Sequence, residues 1–257
     1  MKTINTTGDV YAFSDLHGNY KLFKQIQNFL KPNDIAICLG DICDRGSDGI
    51  EIMQEIFKDA RFKCLLGNHE AMLIDAVEKC SVDDYFKPEE LSRSDVEILR
   101  YNGTMVTLRK FFKLSKEEQT ELFQTLITLP TLAVHKTKDG KEIWLSHAGA
   151  NPEVIWESKS KSDEQLLYWD RKHISLEKWD ELNYPDMYII HGHTPVQALC
   201  YYNREFKYKP ISHNVQKYCG GHKIDIDLGT PTTKRIALIN LEDFKVKYFE
   251  ENELQNC

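Results

Sequence analysis

Five short stretches of the chain end in residues suited to holding cations or phosphate: SDLHG with Asp15 and His17, GDICDRG with Asp41, Asp44 and Arg45, GNHE with Asn68 and His69, WLSHAG with His147, and IIHGHTP with His191 and His193. A turn at GNHE needs only its Gly and Asn, so the His and Glu there require another reason. Carboxylate, amide oxygen and imidazole, with no thiolate among them, suit Mn2+, Fe or Zn2+. Ligands from both halves of the chain suffice for two ions. A carboxylate can bridge such a pair at about 3.5–4 Å, and the pair clamps the attacking and leaving oxygens of an in-line displacement. Arg45, next to Asp44, offers a planar fork matched to phosphate oxygens. Ligands and arginine together point to hydrolysis of a phosphoryl ester.

Each stretch must then sit at a strand end, where sites form in open α/β sheets. The spacing predicts strands over 10–14, 35–40 and 62–67, and helices over 19–30, 48–57 and 70–79, with Ser47 as the N-cap of the second helix. Strand and helix alternate, so the sheet is expected to be parallel. Residues 81–130 read as a cap of several helices, the clearest at 117–129, stopped by Pro130. Runs 131–136 and 142–149 flank TKDGK, a hairpin signal. Residues 161–171 read as helix, 187–193 as strand, and strand-like runs follow near 198–202, 223–228, 235–241 and 244–249. No Gly-, Pro- or Ser-rich linker divides the chain, which predicts a single domain over 1–257.

Composition excludes several classes. With 41% hydrophobic and 28% charged residues, disorder, collagen and coiled coil are poor fits. A net charge of −7 repels duplex DNA and anionic membranes, so neither nucleic acid nor membrane is an expected partner. No run reaches the roughly 20 apolar residues of a membrane helix, and MKTINTTGDVYAFSD lacks the apolar core of a secretory signal. The seven Cys are odd in number and contain no CxxC pair, which reads as free thiols in a reducing, cytoplasmic setting.

SDLHG, GDICDRG, GNHE, SHAG and GHTP, in that order, resemble the metallophosphoesterase superfamily. The DRG and GNHE forms are similar to its phosphoprotein phosphatase branch, above all the compact bacterial and bacteriophage-type Ser/Thr phosphatases. LLYWDR (166–171) looks like the segment carrying their second phosphate-binding arginine, YNGT (101–104) like their helical cap, and IDIDLGTP (224–231) like their closing strand. The resemblance implies an α/β, calcineurin-like fold: two mixed β-sheets packed together and flanked by helices, with a helical insertion over about 81–130.

By the family pattern, one metal would be held by Asp15, His17 and Asp41, the other by Asp41, Asn68, His147 and His193, with Asp41 bridging. Two divalent ions, Mn2+ before Fe or Zn2+, would supply a bridging hydroxide that attacks phosphorus directly. His69 would protonate the leaving group and Asp44 would hold its imidazole; Arg45, Arg171 and Asn68 would bind substrate. Two positions depart from the wider pattern. Ser14 stands where the first motif usually has Gly, and Pro195 replaces the second His of a Gly-His-x-His pair, as in the phosphoprotein phosphatase branch.

Simpler roles are expected elsewhere. His191 reads as a strand-end residue, and His135, His173, His213 and His222 as structural or solvent-facing. Glu70 reads as a first-turn acid favoured by the helix dipole, Leu122, Leu126 and Leu129 as core, and 88–97 as a solvated charged face. The implied activity is Ser/Thr protein phosphatase, extending to phosphotyrosine or small phosphoesters, on a monomer. The alternative is a dinucleoside polyphosphate hydrolase, whose symmetrical members are expected to differ at Asp44. A non-catalytic phosphate-binding protein would have lost a ligand or the acid, and none is missing. Specificity is expected from the insertion and from loops near 151–165 and 202–222.

Overall fold

The computed structural model describes residues 6–82, 85–86, 91–149, 161–175 and 186–251, with 81–82, 85–86 and 161–163 as backbone only. The chain opens with β1 (Val10–Phe13), α1 (Tyr20–Phe29), β2 (Ile35–Cys38), α2 (Gly49–Ile56), β3 (Phe62–Cys64) and α3 (Asn68–Cys80). β1 pairs β2 and β2 pairs β3, both parallel, as the alternating pattern predicts. Local chemistry sets the helix ends. The Asn19 side chain accepts from the Leu22 N–H and caps α1. At α2 the N-cap is Asp48, not Ser47, whose hydroxyl donates to the Asp48 carboxylate at 2.7 Å instead.

Next come the two-residue strands β4 (Ser81–Val82) and β5 (Tyr85–Phe86), then α4 (Arg93–Asn102), α5 (Thr104–Phe111) and α6 (Lys116–Leu126). α4 and α6 each begin with a serine capping box, and α4 stops at Gly103, which turns left-handed at φ 84°. Residues 83–84, 87–90 and 150–160, which carry part of the charged 88–97 stretch and of the 151–165 loop, lie outside the described residues.

The antiparallel hairpin of β6 (Leu132–Lys136) and β7 (Glu142–Ser146) follows, as the Asp-Gly turn predicts. After it come α7 (Lys161–Trp169), β8 (Met187–His191), β9 (Gln216–Tyr218), β10 (Lys223–Asp225), β11 (Arg235–Asn240) and β12 (Val246–Glu250). The run at 198–202 is not a strand. A tight turn over Val196–Ala198 leads into a helix over Leu199–Tyr202. Val196 and Leu199, three apart, face the core while Tyr201 is exposed, which is a helical period.

Two five-stranded sheets result, ordered β12-β11-β1-β2-β3 and β6-β7-β8-β10-β9. Alternation along the strands builds the layers. Val10, Ala12, Ile37 and Leu39 from the first sheet meet Ile143, Leu145, Ile190 and Ile224 from the second in a core between the sheets. The opposite faces, with Tyr11, Phe13 and Cys38, pack under α1, α2, α3 and the insertion helices. Leu122 and Leu126 are buried there and Leu129 packs against them. This is the expected calcineurin-like architecture of two mixed sheets flanked by helices.

Candidate metal centre

The carboxyl ends of β1, β2, β3, β7 and β8 carry the five polar stretches. Their turns are laced to one another: Asp15 N–H donates to Gly40 O at 3.1 Å, His17 N–H to Asp41 O at 2.9 Å, Gly18 N–H to Ile42 O at 2.8 Å, and Gly192 N–H to His147 O at 2.8 Å. The backbone is bent hard to do this. Asp15, His17, Asp41, Asp44, Arg45 and His193 all lie in the left-handed region, with φ between 47° and 69°. Such conformations are costly for residues with a side chain and persist where the surroundings enforce them. Gly192 is the tight spot between sheets, since a Cβ there would fall 2.2 Å from Asp15 Oδ2 and Ser14 Oγ.

Asp15, His17, Asp41, Asn68, His69, His147 and His193 are brought together and all are buried. Two groups of ligand atoms form, His17–Asp41–His69 and Asp41–His147–His193, and Asp41 belongs to both. Its Oδ2 lies 3.7 Å from His17 Nε2 and 3.7 Å from His69 Nε2, while Oδ1 lies 3.2 Å from His147 Nε2. Asp15 Oδ1 is 3.7 Å from His17 Nε2.

The lone pairs converge. His17 Nδ1 sits 3.1 Å from Cys43 O, so that nitrogen carries the proton and Nε2 presents a lone pair to Asp15 and Asp41. Burial, against the pull of Asp41, pushes the His17 imidazole down to about 3, so it is neutral. His147 Nδ1 likewise sits 3.1 Å from Leu39 O. Its Nε2 lies 2.9 Å from Asn68 Oδ1, and His193 Nδ1 lies 2.8 Å from that same oxygen. A neutral His193 can donate its Nδ1–H to that oxygen, which leaves its buried Nε2 lone pair without a hydrogen-bond partner among the described residues and open to a cation. For His147 a proton can serve: burial alone would lower its pKa, but Asp41, Asp15 and Glu70 raise it to about 9. The donor set therefore fits two divalent cations sharing Asp41.

His69 stands apart in its bonding. Its Nδ1 lies 2.7 Å from Asp44 Oδ2. Burial would lower its pKa, yet the Asp41 and Asp44 carboxylates outweigh burial and raise it. Arg45 is exposed and, with His17, lines a cleft of about 220 Å³. Arg171 donates its Nε–H to Thr194 Oγ1 at 3.1 Å, next to His193. A larger depression of about 850 Å³ beside α1 and α2 contains none of these residues.

His191 joins neither group; its Nε2 pairs with Tyr218 OH at 2.8 Å. His135 pairs with Glu242, and His222 stacks on Tyr188. Glu70 does sit in the first turn of α3, but it is wholly buried, and its carboxylate accepts N–H bonds from Asp41, Ile42, Cys43 and Gly67 at 2.7–3.3 Å. It ties the GDICD turn to the GNHE turn.

The calcineurin-like phosphoesterase family model matches residues 9–226. The chain belongs to that family. This phosphoesterase is 24% identical over 240 residues to serine/threonine-protein phosphatase 2 of Escherichia coli, covering 91% of this chain and 93% of that protein. It is 24% identical over 182 residues to the symmetrical bis(5'-nucleosyl)-tetraphosphatase of Buchnera aphidicola, covering 68% of this chain and 63% of that protein. Among solved structures, a mutant cold-active protein tyrosine phosphatase superposes with a TM-score of 0.58 at 17% identity, over 93% of this chain and 77% of that one; that likeness speaks to fold alone. The protein is thus a phosphoesterase-family hydrolase whose His and Asp groups fit the family's dinuclear divalent-metal site. Among the described residues, no helix is long and apolar enough to cross a membrane.

Proposed function

We propose that the protein is a phosphomonoesterase acting on phosphoserine and phosphothreonine. Asp15, His17 and Asp41 would hold one cation, and Asp41, Asn68, His147 and His193 the other, with Mn2+ the ion of choice. When bound, the pair supplies Lewis acidity and an acidified water for attack on phosphorus. Arg45, in the cleft with His17, and Arg171, beside His193, would grip the phosphoryl oxygens. His69 Nε2–H delivers the proton to the departing oxygen, and Asp44 holds the imidazole in the orientation and charge state that this needs.

The observation that carries the choice of substrate is the buried 2.7 Å His69–Asp44 pair. A serine or threonine alkoxide is a very poor leaving group and must be protonated as it departs. A polyphosphate anhydride expels a phosphate, which needs no such acid. The near end-to-end match to the Escherichia coli phosphatase supports the same reading. The test is kcat/KM on a phosphoserine peptide against diadenosine tetraphosphate, with wild type, His69→Ala and Asp44→Asn. The peptide should be preferred, and both variants should lose about 10²–10⁴ in kcat on it. Faster turnover of the dinucleotide, indifferent to both substitutions, would replace this reading with the tetraphosphatase one.

A further inference from the structure

The insertion reaches into the catalytic pair. Thr104 and Thr107 are the first and fourth residues of α5, one turn apart on the same face, and both are buried. Thr104 Oγ1 donates to Asp44 Oδ2 at 2.5 Å, the oxygen that also faces His69 Nδ1. Thr107 Oγ1 donates to Asp44 Oδ1 at 2.6 Å and accepts from the Asp44 N–H at 3.2 Å. Asp44 is 0% exposed and left-handed at φ 69°. Among the described residues, every side-chain hydrogen bond to its carboxylate comes from His69 or these two hydroxyls. Immediately before α5, Gly103 packs on the Arg45 backbone so closely that a Cβ would fall 2.6 Å from Arg45 N.

We propose that Thr104 and Thr107 are positioning residues for the general acid: the insertion aims Asp44 at His69 through two hydroxyls, and so takes part in protonating the leaving group. A carboxylate held by one hydrogen bond can rotate about its Cβ–Cγ bond. Held at both oxygens, it keeps one lone pair on the His69 Nδ1–H and leaves Nε2 pointing at the reacting oxygen. Charge-assisted bonds of this kind are the strong ones, and buried donors left without an acceptor are costly. Fold and chemistry therefore share these contacts. The inference rests on the His69–Asp44 assignment above.

The test is a leaving-group series on the manganese-loaded, full-length protein. Thr104→Val and Thr107→Val keep the shape and remove one hydroxyl each; Thr→Ser at either site restores it. Phosphate esters from p-nitrophenyl phosphate to phenyl phosphate and phosphoserine peptide vary how much protonation the leaving oxygen needs. Each Val variant should lose roughly 10-fold or more in kcat on the peptide, a fraction of the full general-acid effect. The loss on p-nitrophenyl phosphate should be several-fold smaller, with KM and bound metal near wild type, and the Ser variants should recover most of the loss. Equal losses across the series, no loss, or no recovery with Ser would overturn the proposal. If Val disrupts folding, Ala at the same sites gives the same readout. His69→Ala in the same series separates the two claims. A steep leaving-group dependence in His69→Ala with none in the Thr variants rejects only the role of the insertion. A flat series for His69→Ala rejects the acid assignment and this proposal with it.

Discussion

Metal binding should displace a proton from His147, and the displacement has a size. Burial alone would lower the pKa of this imidazole, but Asp41 first, then Asp15 and Glu70, lift it from 6.5 to about 9 in the metal-free site. At pH 7 the metal-free protein therefore carries a proton where a cation must sit. Raising the pH from 7 to 9 removes that competitor. Two pH units at about 1.36 kcal/mol each give roughly 3 kcal/mol, or about 100-fold tighter apparent binding, near tenfold per unit. The sign for stability runs the other way in the metal-free chain. A raised His pKa contributes stability that is complete below pH 6.5 and is lost as pH rises through 9. Metal-free protein should thus weaken across that window while metal stabilises it more. Isothermal titration with Mn2+ in buffers of different ionisation enthalpy counts the protons released. One proton at pH 7, declining toward pH 9, is expected. An affinity flat from pH 6.5 to 9 with no proton release would refute the placement of His147 against Asp41.

Glu70→Gln should destabilise the metal-free protein by about 3–5 kcal/mol in chemical denaturation, because four backbone N–H groups lose an anionic acceptor; a loss under about 1 kcal/mol would contradict the clamp. Gly192→Ala should lower bound metal measured by elemental analysis, since its Cβ would displace the Asp15 carboxylate; full metal content would show that the turn yields freely. Arg45→Ala should cost about 10²–10³ in kcat/KM and weaken inhibition by inorganic phosphate; unchanged inhibition would remove Arg45 from the phosphate grip.

The sequence exposes whatever follows a period or a local rule. Short apolar runs between helical segments placed β1, β2 and β3, the Asp-Gly turn placed the hairpin, and ligand-type residues at strand ends marked Asp15, Asp41, Asn68 and His147 for one region. What stayed hidden depends on distant pairings. Glu70 reads as a first-turn acid because nothing in GNHE states that its carboxylate reaches back to the N–H groups of Asp41–Cys43. Thr104 and Thr107 are ordinary in a helix and gain meaning only 60 and 63 residues away, at Asp44. Their shared three-residue spacing, directly after the Gly of YNGT, was the one available signal. The 198–202 run misled because aromatic, apolar residues suit a strand, yet Val196 and Leu199 follow a helical turn.

The central claim is that two divalent cations share the Asp41 carboxylate. A crystal structure grown with Mn2+, with anomalous data at the manganese edge, tests it most directly. Two peaks about 3.5–4 Å apart are expected, one near Asp41 Oδ2 with Asp15 and His17, the other near Oδ1 with Asn68, His147 and His193. A lone peak, or peaks away from Asp41, would contradict it.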